Sequence, residues 1–156
     1  MATINIQQKL NELGLTYPPV CVSKGIYKRC LTVGNMLFVS GHVSVGADGQ
    51  FITGKVGSSI SEDDAKMAAR QCALSILGSI KDHLGDFSKL KRVVKILGMV
   101  NCEPNYEKHA LIMNGCSELF VQVMGEEDGV GVRSAVGMGS LPGNVAVEVE
   151  AMFELY

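Results

Sequence analysis

The stretch Val145-Ala146-Val147-Glu148-Val149-Glu150-Ala151-Met152-Phe153-Glu154-Leu155 decides the fold. Val145, Val147, Val149, Ala151, Phe153 and Leu155 take every second place, and Glu148, Glu150 and Glu154 fall between them. Successive side chains of a strand point to opposite faces. The alternation therefore predicts a strand with one face on a core and a carboxylate-bearing face turned away. Such a strand needs partner strands and a layer to cover its apolar side. Residues 59–85 supply that layer. Ala65, Ala68, Ala69, Cys72, Ala73, Ile76, Leu77, Ile80 and Leu84 recur at helical spacing, and small alanines let a helix lie close on a sheet. Ser59 with Glu62 has the spacing of a capping box, Ser61 with Asp64 is the rival cap, and Gly85 stops the helix.

Further out, Tyr27 to Val33 and Met36 to Ser40 read as two strands joined at Gly34-Asn35, a hairpin signal. Gly46 to Gln50 is a turn, followed by a short Phe51-Ile52 strand. Lys91 to Met99 predicts a buried strand around Val93, Val94, Ile96 and Leu97, with Lys91 and Lys95 on the face of Val93 and Arg92 on the other. A second helix carries Leu111, Ile112, Cys116, Leu119 and Phe120, with Pro104 placed in its first turn and its end near Gly125. Asn114-Gly115 inside that helix costs roughly 1 kcal/mol for the glycine relative to alanine, which calls for a packing or functional reason. Val130 to Met138 predicts another strand, and Leu141-Pro142-Gly143-Asn144 a turn. A short helix over about residues 4–14, with Ile6, Leu10 and Leu13 at helical spacing, precedes the rigid Tyr17-Pro18-Pro19 link. The order gives a single α+β domain over residues 1–156, a mixed sheet with two main helices packed on one face.

The chain has 156 residues, enough to bury roughly two thirds of its unfolded surface without a disulfide or metal. Lys and Arg number 14 and Asp and Glu 16, a net charge of −2 that weighs against a nucleic-acid partner. Charged residues make up 19%, a thin covering that suggests surface buried in an oligomer. No 18-residue apolar run occurs, so no membrane span is expected, and the first ten residues lack a secretory pattern. The five cysteines fit no disulfide or zinc spacing and read as reduced thiols; a cytoplasmic address follows, with a mitochondrial one left open. His42, His83 and His109 lack the neighbours of a zinc motif, so no metal is expected.

Several side chains could carry chemistry. Arg133 lies in an apolar, glycine-rich strand and needs a carboxylate, either Glu148 or Glu150 of the protein or one on a ligand. Glu148 and Glu150 share the polar face of the last strand; either a solvated face or a proton-handling carboxylate fits. Tyr27 is a rim aromatic or phenol donor. Ser40, at a strand end, has no nucleophile-elbow context. The pairs Gly54/Gly57 and Gly137/Gly139 lack the phosphate-loop and dinucleotide fingerprints and read as turns or close-packing points. Lys89, Lys91, Arg92 and Lys95 form the one basic cluster, without aromatic interleaving.

Arg133-Ser134-Ala135-Val136-Gly137, Leu141-Pro142 and Val147-Glu148-Val149-Glu150-Ala151 resemble the signature of the RidA/YjgF family, the reactive-intermediate deaminases also named endoribonuclease L-PSP or translation inhibitors. Tyr27 and Val33-Gly34-Asn35-Met36-Leu37-Phe38-Val39-Ser40-Gly41 match a second block. Gly54 to Gly57, Ala68-Ala69-Arg70 and Asn114 to Ser117 fit a longer-chain branch. The resemblance implies a chorismate-mutase-like fold and a homotrimer, with the sheets forming a central barrel and the pockets lying between subunits. It implies hydrolysis of enamines and imines, such as 2-aminoacrylate and 2-iminopropanoate, to a 2-oxo acid and ammonia. No cofactor or metal is implied. Carried onto this chain, Arg133 clamps the substrate carboxylate and Glu148 handles the water. Tyr27, Ser40 and Ala135 match pocket positions; Asn114 and Glu150 are secondary candidates. Active members often have cysteine at the position of Ala135, and the branch tends to have His-Ala where this chain has Gly131-Val132. The alternatives are a non-catalytic trimeric module that captures a small carboxylate such as a 2-oxo acid, and an endoribonuclease.

Overall fold

Asn5 accepts the Gln8 N–H through its side chain and so caps helix α1 (Ile6–Glu12). The structure, a computed structural model, describes residues 5–20 and 25–156. Ile4, where this helix was expected to begin, lies outside them. Ile6 and Leu10 are buried, but Leu13, expected on the same stripe, is 45% exposed, because the helix ends before it.

Strands β1 (Cys30–Val33) and β2 (Met36–Val43) form the expected hairpin across Gly34-Asn35. Gly34 has φ +61°, which suits glycine in the first central place of a two-residue hairpin turn. The expected strand from Tyr27 begins three residues later, at Cys30. Helix α2 (Glu62–Leu84) is capped by Ser61, whose side chain accepts the Asp64 N–H at 3.0 Å. Ser59, the first cap expected, does not serve, because it is committed to the preceding loop, where it accepts the Lys55 N–H at 2.8 Å. Gly85 ends the helix with φ +87°.

Strand β3 (Leu90–Asn101) leads to helix α3 (His109–Met124), the single-turn α4 (Glu126–Gly129), β4 (Val132–Met138) and β5 (Val147–Leu155). The sheet order is β1-β2-β5-β3-β4, antiparallel except for the β3/β4 pair, which α3 connects as a crossover. Along β5, Val147, Val149, Ala151, Phe153 and Leu155 are buried against α2 and α3, as the alternation predicted. Phe153 meets Phe120 of α3 edge to face, with ring centroids 5.6 Å apart. Gly115 of α3 lies against the Lys66 carbonyl of α2, and a Cβ there would collide with it. The glycine thus has a packing reason.

Three expectations need correction. Pro104 does not open α3; it stands second in a turn closed by Tyr106 N–H to Glu103 O at 3.0 Å, and the helix starts at His109. Leu111 points outward, 53% exposed, whereas Ile112, Met113 and Cys116 are buried. The β3/β5 register shifts between Val93 and Lys95. That irregularity puts Val93 in the core and Lys95 on the opposite face, beside Met152, so the two do not share a side.

Among the described residues, no helix covers the second face of the sheet. Leu31, Val33, Phe38, Val132, Val136 and Met138 are exposed there, together with Glu150. Contiguous apolar surface of this kind marks an interaction face.

Candidate functional site

A break in β2 builds the site. Val39 pairs with Ala151 and His42 with Val149, so Ser40 and Gly41 together face the single residue Glu150. Such a bulge bends its strand and re-aims neighbouring side chains. Gly41 has no Cβ, and the Glu148 carboxylate takes the space that one would fill. A cavity of about 450 Å3 runs beside the bulge. Tyr27, Arg29 and Ser40 line one part of it, Ser75, Gly78 and Ser79 of α2 another, and Glu148 and the Pro18-Pro19 link close it. Gly78 also lets Tyr17 pack on α2, since a Cβ there would sit 3.2 Å from the Tyr17 Cβ.

Glu148 is half-buried. Burial first, and then the nearby Glu150 carboxylate, push its pKa above the ordinary carboxylate value. A carboxylate so placed holds a proton more readily than a solvated one, which suits proton exchange with a bound molecule. Ser40 Oγ lies 2.5 Å from Lys28 O and 3.1 Å from Arg29 O, so its hydroxyl ties β2 to the approach of β1. Tyr27 is 54% exposed on the rim.

A polar chain leads inward from the mouth. His42 Nδ1 donates to Ser40 O at 2.7 Å, since a carbonyl can only accept. Its Nε2 then accepts the Ser79 hydroxyl at 2.8 Å. Burial, and to a lesser degree the Arg29 charge, lower the His42 pKa, in keeping with this neutral tautomer. Arg29 Nη1 donates to Ser79 Oγ at 3.4 Å, and its Nη2 is 3.9 Å from Asp82 Oδ2. Arg29, His42 and Ser79 were not among the residues the sequence singled out as pocket groups.

Arg133 lies elsewhere. It is paired in register with the buried Ile96, so it sits on the helix side of β4. Its Nη1 donates to Asn114 Oδ1 and Ser117 Oγ, both at 3.0 Å, and its Nη2 to Ala110 O at 3.3 Å. The protein carboxylates considered as partners, Glu148 and Glu150, are not within ion-pair range of it. Asn114 therefore belongs to the arginine, with α3 fixing its direction. Ala135, two residues on, is half-buried beside Gly98 and packs against the core. Glu148, in contrast, pairs with Met99 on the other face of the sheet and two strands away. At about 4.8 Å per strand, that is roughly 10 Å sideways, with a whole sheet between. One copy of the chain cannot apply Arg133 and Glu148 to one small molecule. Glu150 lines a neighbouring groove with Lys28, Phe38, Lys95 and Leu97.

Two of the four residues of the basic cluster are paired. Lys91 bonds Glu154 at 3.0 Å, and Arg92 lies 3.3 Å from Glu154 and 3.7 Å from Asp128. Among the described residues no three His, Cys, Asp or Glu side chains converge as a metal site needs, and no helix is long and apolar enough to cross a membrane. The glycine pairs are turns and contact points: Gly54 and Gly57 have φ +129° and +99°, and Gly137 lies under His109 and Cys102.

Residues 7–153 match the family model described as YjgF/chorismate-mutase-like, which also carries an endoribonuclease name. The chain is 36% identical over 155 residues to Protein TCP17 of Trypanosoma cruzi, covering 99% of this chain and 97% of that protein. Among solved structures it resembles Atu1372 of Agrobacterium tumefaciens, with 39% identity, TM-score 0.87 and coverage of 97% of this chain and 94% of the other. RidA of the Antarctic bacterium Psychrobacter sp. PAMC 21119 shares the fold at 21% identity and TM-score 0.57, with coverage of 89% and 94%.

Proposed function

The chain belongs to the YjgF/chorismate-mutase-like family, and on that premise we propose that it hydrolyses small enamines and imines bearing a carboxylate, such as 2-aminoacrylate and 2-iminopropanoate, to a 2-oxo acid and ammonia. One observation carries the reading. Arg133 is a cation held by an amide, a hydroxyl and a carbonyl, with neither candidate glutamate to neutralise it. These three bonds leave its charge unspent, with the Nε–H and one Nη2–H side by side for an outside carboxylate.

In this reading the active unit is a homotrimer. Arg133, on the helix side of the edge strand β4 in one copy, and Glu148 of another meet in a pocket at the subunit boundary. The carboxylate of the imine binds the guanidinium. Glu148 takes a proton from water as its oxygen adds to the imine carbon, so C=N becomes C–N. It returns that proton to nitrogen, giving the carbinolamine; it then takes the proton of the new hydroxyl and passes it to the amine, so that C=O forms as C–N breaks and ammonia leaves. The step is neither oxidation nor reduction, and the carbon keeps its electron count. Tyr27 donates at the rim, and the Ser40 bulge holds Glu148 in place.

The ribonuclease name is the weaker alternative, since Lys91 and Arg92 spend their charge on Glu154 and Asp128. The test is ammonia release from 2-aminoacrylate generated in situ. Wild type accelerates it, and Glu148→Gln and Arg133→Ala each lower the rate by about 100-fold or more, the usual weight of positioned acid-base catalysis. Wild type equal to buffer while the protein remains folded would instead favour a module that only captures the 2-oxo acid.

A further inference from the structure

We infer that Arg29 is the receptor for a second carboxylate, which makes the preferred ligands the imines and 2-oxo acids of dicarboxylic amino acids. The inference rests on the reading above in so far as Arg133 takes the first carboxylate. The second cation stands on its own geometry. Arg29 lines the same cavity as Glu148, Tyr27 and Ser40. Its ties within the chain are slack. The carboxylate of Asp82 is 3.9 Å away and 59% exposed, where solvent screens it, and the bond to Ser79 is long at 3.4 Å. A guanidinium has five donors in a fixed fork, and these two contacts leave most of them free for a carboxylate.

The lining behind Arg29 is built to hold it. Ser79 is buried, and its hydroxyl hydrogen is taken by His42, so its oxygen is left to accept from Arg29. His42 is in turn fixed by Ser40 O. The arginine is therefore aimed by a chain of three polar groups instead of by a tight ion pair, which would have used up its charge.

Size agrees. The cavity, of about 450 Å3, is larger than a three-carbon imino acid fills. A three-carbon imino acid has six non-hydrogen atoms and no second carboxylate to offer Arg29. A four- or five-carbon dicarboxylate has nine or ten and offers its far carboxylate to a second cation.

Binding distinguishes this from catalysis. The protein is titrated calorimetrically with 2-oxoglutarate and with 2-oxobutanoate, which need not turn over. Wild type is expected to bind the dicarboxylate at least ten-fold more tightly. Arg29→Gln, which keeps a donor toward Ser79, is expected to collapse that ratio to within about two-fold. Asp82→Asn, which removes the competing carboxylate, is expected to widen it, a change that a merely structural Arg29 would not produce. Equal affinities in wild type, no binding of either acid, or a ratio that persists in Arg29→Gln would each overturn the inference. A preference that depends on Arg29 in a protein that releases no ammonia would leave this site standing and remove the deaminase reading. Ammonia release without the preference would do the reverse.

Discussion

Glu148 shows how function and stability oppose each other at one residue. Its pKa is raised by burial and by Glu150. The folded state therefore holds the proton more tightly than the unfolded chain, and this favours folding below the ordinary carboxylate pKa. As pH climbs through the raised value, that contribution is lost and an ionised, partly desolvated carboxylate remains. Glu148→Gln is accordingly expected to melt about a degree or two higher than wild type near neutral pH, with the gain vanishing in acid, as thermal unfolding across pH will read. The same substitution abolishes turnover in the proposed mechanism. Strand alternation and family register single out Glu148, and apolar surroundings single out Arg133. No such signal marks Arg29, His42 or Ser79. Their contacts span 37 and 50 residues and leave no local pattern in the sequence.

At the level of elements, periodicity exposed nearly the whole architecture. The alanine-rich side of α2 and the valines of β5 repeat with the periods that burial imposes on a helix and a strand. What it missed lies where local hydrogen bonds or register compete with pattern. Ser61 overtook Ser59 as cap because the loop had already claimed the Ser59 hydroxyl. The β3 irregularity turned Lys95 away from Val93, and no propensity scale encodes such a slip. Gly115 offers a sharp test. Alanine there would gain helix propensity of about 1 kcal/mol, yet its methyl would meet the Lys66 carbonyl, and overpacking costs about 1–3 kcal/mol. Because backbone on the facing helix cannot step aside as a side chain does, Gly115→Ala is expected to lower the urea midpoint; an unchanged or raised midpoint would show that α2 and α3 separate freely.

For the molecule as a whole, the uncovered sheet face sets the expectation. It exposes Val132, Val136, Phe38 and Leu31 across several strands, more apolar surface in one place than scattered exposure explains. The low charge content pointed to such a face, but the sequence could not say which surface it was. Two glutamates introduced there, Phe38→Glu with Val136→Glu, are expected to convert a trimer to monomers in sedimentation and to abolish ammonia release together. A monomeric wild type, or a monomeric variant with full activity, would remove the shared pocket.

The described cysteines bear on how long such a molecule lasts. Cys72 is pushed well above the ordinary thiol value by burial, Cys116 to about 12, Cys30 to about 11, and Cys102 upward as well. None of the four is a thiolate at neutral pH, and all four are buried. The imine carbon is an electrophile, and the thiolate is the form of cysteine that adds to it. In the proposed activity these four sulfurs therefore stand in the form least able to add to the substrate, and the protein is spared inactivation by it.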